Sequence, residues 1–269
     1  MDKLNSSESA AAELSPIEQG KRLAGYKACE CLRDGMLIGL GTGSTAFYAI
    51  ERTGQLVAEG LRIKAVATSE ATAKLAAARH IPLLSADAVT ELDVAIDGVD
   101  EIDPQFNAIK GGGGALFREK IIAMMSKEVI WVMDERKLVP AIGDFHLPVE
   151  ILPFGASSLI YKIDHLGLKP RLRCRRGEEL PDWTCPTVRR QIEVLQNPSE
   201  SKQLWVTDNG NLLVDLMVDA PLDLGYIQKN LLPLTGVLET GLFLNICARM
   251  YVGGQGTVRE IINPSPAKR

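Results

Sequence analysis

The sequence predicts an α/β protein, with a Rossmann-like, doubly wound, mostly parallel sheet and a smaller α+β, ferredoxin-like lid domain. Three observations lead there. Short apolar strand patterns alternate with helical ones between residues 36 and 133, as in parallel strands joined by helical crossovers. Turns rich in glycine, hydroxyl and acidic side chains follow several of those strands, at the sheet edge where open α/β folds place their crevices. After Gly143 the pattern changes to something close to β-α-β-β-α-β.

The elements follow in order. Residues 1–15, rich in Ser, Ala and Glu without a strand pattern, read as a mobile leader. Ser15 and Pro16 supply a cap and first turn for a helix whose apolar positions Ile17, Leu23, Ala24, Ala28 and Leu32 follow helical spacing, and Asp34-Gly35 end it. Met36 to Leu40 is a buried strand, and GTGSTA leads into a helix around Phe47 to Arg52. The pattern repeats with a strand at Ile63 to Ala67, a helix over SEATAKLAAARH, and strands at Ile81 to Leu84 and Leu92 to Ile96. A helix from Ala115 to Ser126 and a strand from Val129 to Met133 follow. The larger domain is expected to comprise residues 16–145 and 245–269, because the apolar Met250-Tyr251-Val252 in the tail returns to it.

Residues 146–244 form the expected smaller domain. Its signals are a strand pattern in LPVEILPF, a helix over SLIYKIDHLG, the runs LWVTD and LLVDLMV, a helix around Leu224 to Leu232 and a strand from Gly236 to Phe243. Asn209-Gly210 between the two runs is a strong hairpin cue. Residues 174–202 lack a sustained period and read as an exposed excursion with one short helix. The arginines Arg171, Arg173, Arg175 and Arg176 fit a solvated strand face better than an anion site.

Composition narrows the function classes. A chain of 269 residues with 46% hydrophobic and 24% charged content can bury a sizeable core. A net charge of -4 carries no general nucleic-acid footprint, so an anionic partner must be small and held by a local cluster of donors. No apolar run approaches the roughly 20 residues of a membrane span, and the first residues lack a signal-peptide core, which makes the cytoplasm the expected location. The five cysteines form neither an even framework nor a C-x-x-C pattern and are expected to be free thiols. His80, His146 and His165 lack metal-site spacing, and no metal is expected.

The most informative stretch is DGVDEIDPQFNAIKGGGGALFREK, Asp97 to Lys120, which reads as one catalytic loop feeding a helix. Its acidic group, Asp97, Asp100, Glu101 and Asp103, fits a solvated loop or acid/base work and lacks the ligand order of a calcium site. Lys110 can donate to an oxygen that becomes negative, and the glycines Gly111 to Gly114 leave backbone N–H groups open. A glutamate on the following helix can move a carbon-bound proton. Spacing alone leaves open which of Arg118, Glu119 and Lys120 faces the crevice. Upstream, Gly41-Thr42-Gly43-Ser44-Thr45 fits a metal-free phosphate turn or an ordinary capping turn, and Thr68-Ser69-Glu70 reads as a cap. Lys137 arrives at the same sheet edge and can supply positive charge for a phosphate.

GTGSTA, DGVDEID, KGGGGALFREK, LPVE, TDNGN and the GLF segment at Gly241 together resemble the type A ribose-5-phosphate isomerase family. The resemblance covers nearly the whole chain after the leader. It implies an aldose-ketose isomerase of the pentose phosphate pathway that interconverts ribose 5-phosphate and ribulose 5-phosphate through an enediolate, without cofactor. Motif by motif it implies Glu119 as the base, Asp100 assisting ring opening, Asp97 on sugar hydroxyls, and Lys110 with the glycine backbone on the oxyanion. It further implies substrate contacts from Thr42, Gly43, Ser44, Thr45, Gly98, Val99, Gly111, Gly112, Gly113 and Lys137, with Lys21 of the first helix joining the phosphate holders. The implied partner is a small pentose phosphate, and the implied assembly a homodimer or homotetramer. The competing readings are a non-catalytic sugar-phosphate sensor, which would keep the phosphate turn and lose the base, and an amino-sugar phosphate isomerase/deaminase or a CoA transferase, which the KGGGGALFREK match disfavours.

Overall fold

The computed structural model describes residues 14–175, 187–218 and 220–267. Its central sheet has six strands: β1 (Leu37–Leu40), β2 (Lys64–Ala67), β3 (Leu92–Gly98), β6 (Ser126–Asp134), β12 (Arg249–Gly254) and β13 (Thr257–Ile262), in the order β13-β12-β6-β3-β1-β2. All neighbours run parallel except the edge hairpin β12-β13. The tail thus adds two strands to the sheet that begins at β1.

Helices cover both faces, and β6 shows why. Its alternate residues Ile130 and Val132 face a cluster with Ala24 and Ala28 of α1 (Pro16–Ala28) and Ile50 of α2 (Ala46–Ala58). Val129, Trp131 and Met133 face the opposite cluster, which includes Ile122 and Ala123 of α4 (Leu116–Met125) and Phe243. A period of two with apolar residues on both sides is what a strand in a doubly covered sheet requires. The helix starts are written locally. Ser15 Oγ accepts from Glu18 N–H at 3.2 Å with Pro16 in the first turn, and Ser69 Oγ accepts from Thr72 N–H at 3.0 Å to open α3 (Glu70–Ala78).

The second unit has β7 (Leu147–Ile151), α5 (Ala156–His165), β8 (Pro170–Leu172), α6 (Val188–Gln196), β9 (Leu212–Leu216), α7 (Leu224–Asn230) and β10 (Val237–Thr240). Its antiparallel sheet has the order β10-β7-β9-β8, the ferredoxin-like arrangement with α6 inserted. One face packs Leu147, Val149, Val214 and Leu216 against Leu159 and Ile163 of α5 and Ile227 of α7. The other face turns toward α4 and the glycine run.

Several sequence expectations need correction. Ile81 to Leu84 forms only an isolated bridge, Ala65 to Leu83, because the segment is too short to extend the ladder. The run read as one loop contains β4 (Glu101–Ile102) and β5 (Asn107–Ile109), which join β11 (Leu242–Leu244) in a three-stranded sheet. The expected strand from Gly236 to Phe243 therefore breaks at Gly241, leaving β10 in one sheet and β11 in another. At that break Gly241 N–H donates to Pro148 O at 2.7 Å, and Lys110 N–H donates to Gly241 O at 2.9 Å. TDNGN turns as expected, with Gly210 at φ 80, but its two arms meet only through the Val206 to Leu212 bridge, while Leu204 of the first arm bridges Cys174. The excursion is not wholly exposed: α6 buries Val194, and its Gln191 accepts from Leu172 N–H at 3.0 Å and donates to Pro170 O at 2.6 Å.

The leader through residue 13, Arg176 and Cys185 lie outside the described residues. Cys29 and Cys31 are free thiols. Among the described residues no cluster of three or more metal-ligating side chains occurs, and no helix is long and apolar enough to cross a membrane.

Candidate active site

The carboxyl ends of β1, β3 and β6 deliver three turns to one cavity of about 90 Å³. It brings together Thr42, Gly43, Ser44 and Thr45 after β1, Gly98, Val99 and Asp100 at the end of β3, Lys110, Gly111 and Gly113 after β5, Glu119 of α4, and Lys137 beyond β6. Two larger concavities, of about 460 and 520 Å³, lie elsewhere, and neither gathers a buried acid with a lysine and open backbone donors.

Glu119 owes its position to helical spacing. It lies on the buried stripe of α4 with Leu116, Ile122 and Ala123, a periodicity that brings residues three and four apart onto one face. Its neighbours leave that face in other directions. Arg118 Nε donates to Asn209 Oδ1 at 2.7 Å and its Nη2 to Asp208 O at 2.7 Å. Lys120 Nζ pairs with Glu239 Oε1 at 2.8 Å and donates to Thr240 O at 2.8 Å. Both flanking charges are thus tied to the lid rather than to solvent, and Glu119 alone of the three turns inward.

Lys110 stands between two carboxylates, 3.1 Å from Asp97 Oδ2 and 3.3 Å from Glu119 Oε2, and it also donates to Gly98 O. The rings of Trp131 and Phe243 flank it, with centroids at 5.1 and 5.5 Å from Nζ. Lys110, Asp97 and Glu119 are 2%, 3% and 4% exposed, so water screens none of them. Burial pushes the Glu119 carboxyl up to about 8, against the pull of Lys110. Asp97 is likewise raised by burial against the same lysine. Burial alone would lower the Lys110 ammonium, but Asp97, Glu119 and Asp100 outweigh it and hold it above its ordinary value. An acid close to neutrality beside a fixed cation suits proton transfer next to a developing negative charge.

The four carboxylates of the acidic run are all engaged, which corrects the solvated-loop reading. Asp97 Oδ1 accepts from Thr42 N–H at 3.0 Å and Gly98 N–H at 2.7 Å, so it braces the turn after β1 from behind. Asp100 Oδ2 accepts from Gly112 N–H at 2.7 Å. Glu101 accepts from Gly143 N–H at 2.8 Å and Phe145 N–H at 2.7 Å, and Asp103 from the N–H groups of Gln105 and Asn107, both at 2.9 Å. Glu101 and Asp103 therefore shape the backbone.

The turn after β1 divides in the same way. Thr42 Oγ1 lies 2.7, 2.8 and 3.0 Å from the hydroxyls of Thr68, Ser69 and Thr72, so the second Ser/Thr turn both caps α3 and holds Thr42. Ser44 and Thr45 face the cavity at the start of α2, where Phe47 N–H already donates to Gly43 O at 2.9 Å and Tyr48 N–H to Thr45 O at 3.1 Å.

Of the expected site residues, Asp97 and Gly112 stand behind the lining, and Lys21 is absent from it: its ammonium pairs with Glu18 Oε1 at 2.7 Å. Sequence reasoning missed Arg173, which leaves β8 toward the glycine run and donates to Gly111 O at 2.8 Å. It is therefore no solvated strand residue. Its alternation with buried Leu172 signalled only which face it occupies. Trp205, which meets Gly114, carried no sequence signal.

The family described as ribose 5-phosphate isomerase A (phosphoriboisomerase A) matches residues 64–257, which include the acidic run, the glycine turn, Glu119 and Lys137. The chain belongs to the ribose 5-phosphate isomerase A family. A relative named ribose-5-phosphate isomerase A from Streptococcus pneumoniae is 42% identical over 244 residues, covering 90% of this chain and 96% of the relative. The solved ribose 5-phosphate isomerase from Plasmodium falciparum superposes with a TM-score of 0.79 at 32% identity, covering 93% of this chain and 100% of its own. A solved D-ribose-5-phosphate isomerase in complex with phospho-erythronic acid gives a TM-score of 0.78 at 32% identity, covering 91% and 99%. The doubly wound sheet and its lid are thus those of isomerases in this family, and the sensor reading is not favoured.

Proposed function

We propose that this protein interconverts D-ribose 5-phosphate and D-ribulose 5-phosphate, with Glu119 moving the proton between C2 and C1. The single observation that carries the reading is the buried Glu119 beside Lys110 in a cavity that Ser44, Thr45 and Lys137 also line. In the open-chain aldose, Glu119 takes the C2 proton while the C1 carbonyl oxygen gains the charge, stabilised by Lys110 and glycine N–H groups. The enediolate then takes that proton at C1, the hydroxyl proton passes from O2 to O1, and the ketose results. Asp100 assists ring opening, and Asp97 keeps the Thr42 turn and Lys110 in register, with any contact to sugar hydroxyls secondary to that bracing. Ser44, Thr45 and Lys137 hold the phosphate, whose binding positions the sugar.

The catalytic unit in this reading is residues 16–145 with 245–269 and the lid is residues 146–244, and the sheet memberships support that division except for β11, which lies within 146–244 but pairs with β5. Assembly as a homodimer or homotetramer in the cytoplasm belongs to the same proposal. The exposed Leu152, Phe154 and Tyr161 support the assembly as apolar surface on the lid, and sedimentation of the full chain tests it. The function is tested by following conversion of ribose 5-phosphate to the ketose. Turnover is expected; folded protein that binds the sugar phosphate without converting it would overturn the reading in favour of a sensor.

A further inference from the structure

The lid reaches the glycine turn through Arg173. Its Nε donates to Asp215 Oδ2 at 2.9 Å and its Nη2 to Asp215 Oδ1, so a bidentate pair fixes the guanidinium plane. From that plane Nη1 donates to Gly111 O at 2.8 Å and to Gly112 O at 3.3 Å. Trp205 N–H donates to Arg173 O at 2.8 Å, and its indole closes over Gly114, where an added Cβ would lie 2.6 Å from Nε1.

Peptide planarity turns these contacts into an aiming device. The Gly111 carbonyl and the Gly112 N–H belong to one rigid unit and point in opposite directions. Arg173 grips its oxygen end and Asp100 Oδ2 its N–H end, at 2.7 Å. The next unit joins the Gly112 carbonyl to the N–H of Gly113, a residue of the cavity lining. A cation on a carbonyl oxygen also draws charge through the amide and strengthens its N–H as a donor.

We propose that Arg173 is a positioning residue for the isomerisation, aiming and polarising the Gly112 and Gly113 N–H groups at Asp100 and at the developing oxyanion. The inference rests on the isomerase reading above. It separates from the phosphate turn, which Arg173 does not touch.

The test measures kcat and KM for ribose 5-phosphate, inhibition by inorganic phosphate, and thermal midpoint, in the full-length chain and in R173K and R173A. Lysine keeps the charge but cannot hold Asp215 and two carbonyls in one plane. In both variants kcat is expected to fall about 10- to 100-fold, the range a misplacement of about 1 Å produces. KM and phosphate inhibition are expected to stay within about threefold, since the loss belongs to the transition state. Millimolar guanidinium should restore part of kcat in R173A, and equal urea should not. Retention of kcat by both variants, parallel changes in kcat and phosphate inhibition, or a loss that follows only the unfolded fraction would each overturn the proposal. Should R173A not fold, the kcat and KM of R173K decide it. An unsubstituted chain without turnover would instead sink the isomerase reading, so the two failures are distinct.

Discussion

Lys110 Nζ and Glu119 Oε2 stand 3.3 Å apart, and neither side chain reaches bulk water. Removing the cation strands Asp97 and Glu119 side by side in a low-dielectric pocket. K110M is therefore expected to lower unfolding stability by about 3–5 kcal/mol, the cost of breaking a buried pair. Urea denaturation measures it, and an unchanged midpoint would contradict the charge balance described here.

Substituting the glutamate separates binding from chemistry. Glu119→Gln keeps the shape of the side chain but cannot accept a proton from carbon. The expected result is a fall in kcat of about 10²–10⁴-fold, while calorimetry still detects ribose 5-phosphate binding. Near-normal turnover would remove Glu119 from the role of base.

The pH profile carries the sign of the Glu119 shift. A base works only unprotonated, and burial raises this carboxyl to about 8, so kcat/KM of the free enzyme should climb with pH toward that value rather than level off near 4.5. The second ionisation of the substrate phosphate, near about 6, should appear as a separate, lower limb. A profile flat from pH 5 to pH 9 would mean that no raised carboxyl limits the reaction.

Alanine substitutions along the glycine run should not be equivalent. A Cβ on Gly112 would sit 2.6 Å from Asp100 Oδ1, and one on Gly114, at φ 83, would meet Trp205. On Gly113 it would meet only Thr42 Cγ2, at 3.6 Å. G112A and G114A are expected to cost about 1–3 kcal/mol of stability through strain, whereas G113A should fold normally and raise KM by intruding on the cavity. Equal thermal midpoints for the three variants would refute this ordering.

Prolonged treatment with a chelator should leave turnover unchanged, because Lys110 and backbone N–H groups supply the electrophilic support. Activity lost to the chelator and restored by a divalent ion would overturn that.

Much of the fold could be read directly. Apolar strand patterns alternating with capped helices located β1, β2, β3, β6 and the helices between them, because doubly covered strands and amphipathic helices leave strong periodicities. The short β4, β5 and β11 left none: two or three residues cannot show a period, and the pairing of β5 with β11 spans more than 130 residues of sequence, as in Leu242 with Ile109. In the site, motif residues announced Asp97, Asp100, Lys110 and the glycines. Helical spacing of Leu116, Glu119 and Ala123 carried more than expected, since it marks the glutamate as a core position. Arg173 was illegible because its partners at the glycine run are backbone carbonyls, which have no signature in a sequence, while Lys21 pairs with Glu18, one turn earlier, outside the cavity lining.

The Gly241 peptide unit bonds to Pro148 through its N–H side and to Lys110 through its carbonyl. A flap that swings needs a crossing strand released from both bodies, and here the crossing strand is stitched to each. Opening of the cleft must therefore come from breathing away from that stitch, where the Arg118 side chain meets Asp208 and Asn209 of the lid. Amide exchange should be slowest along the stitched edge, with the Lys110 backbone moving with the lid as one piece.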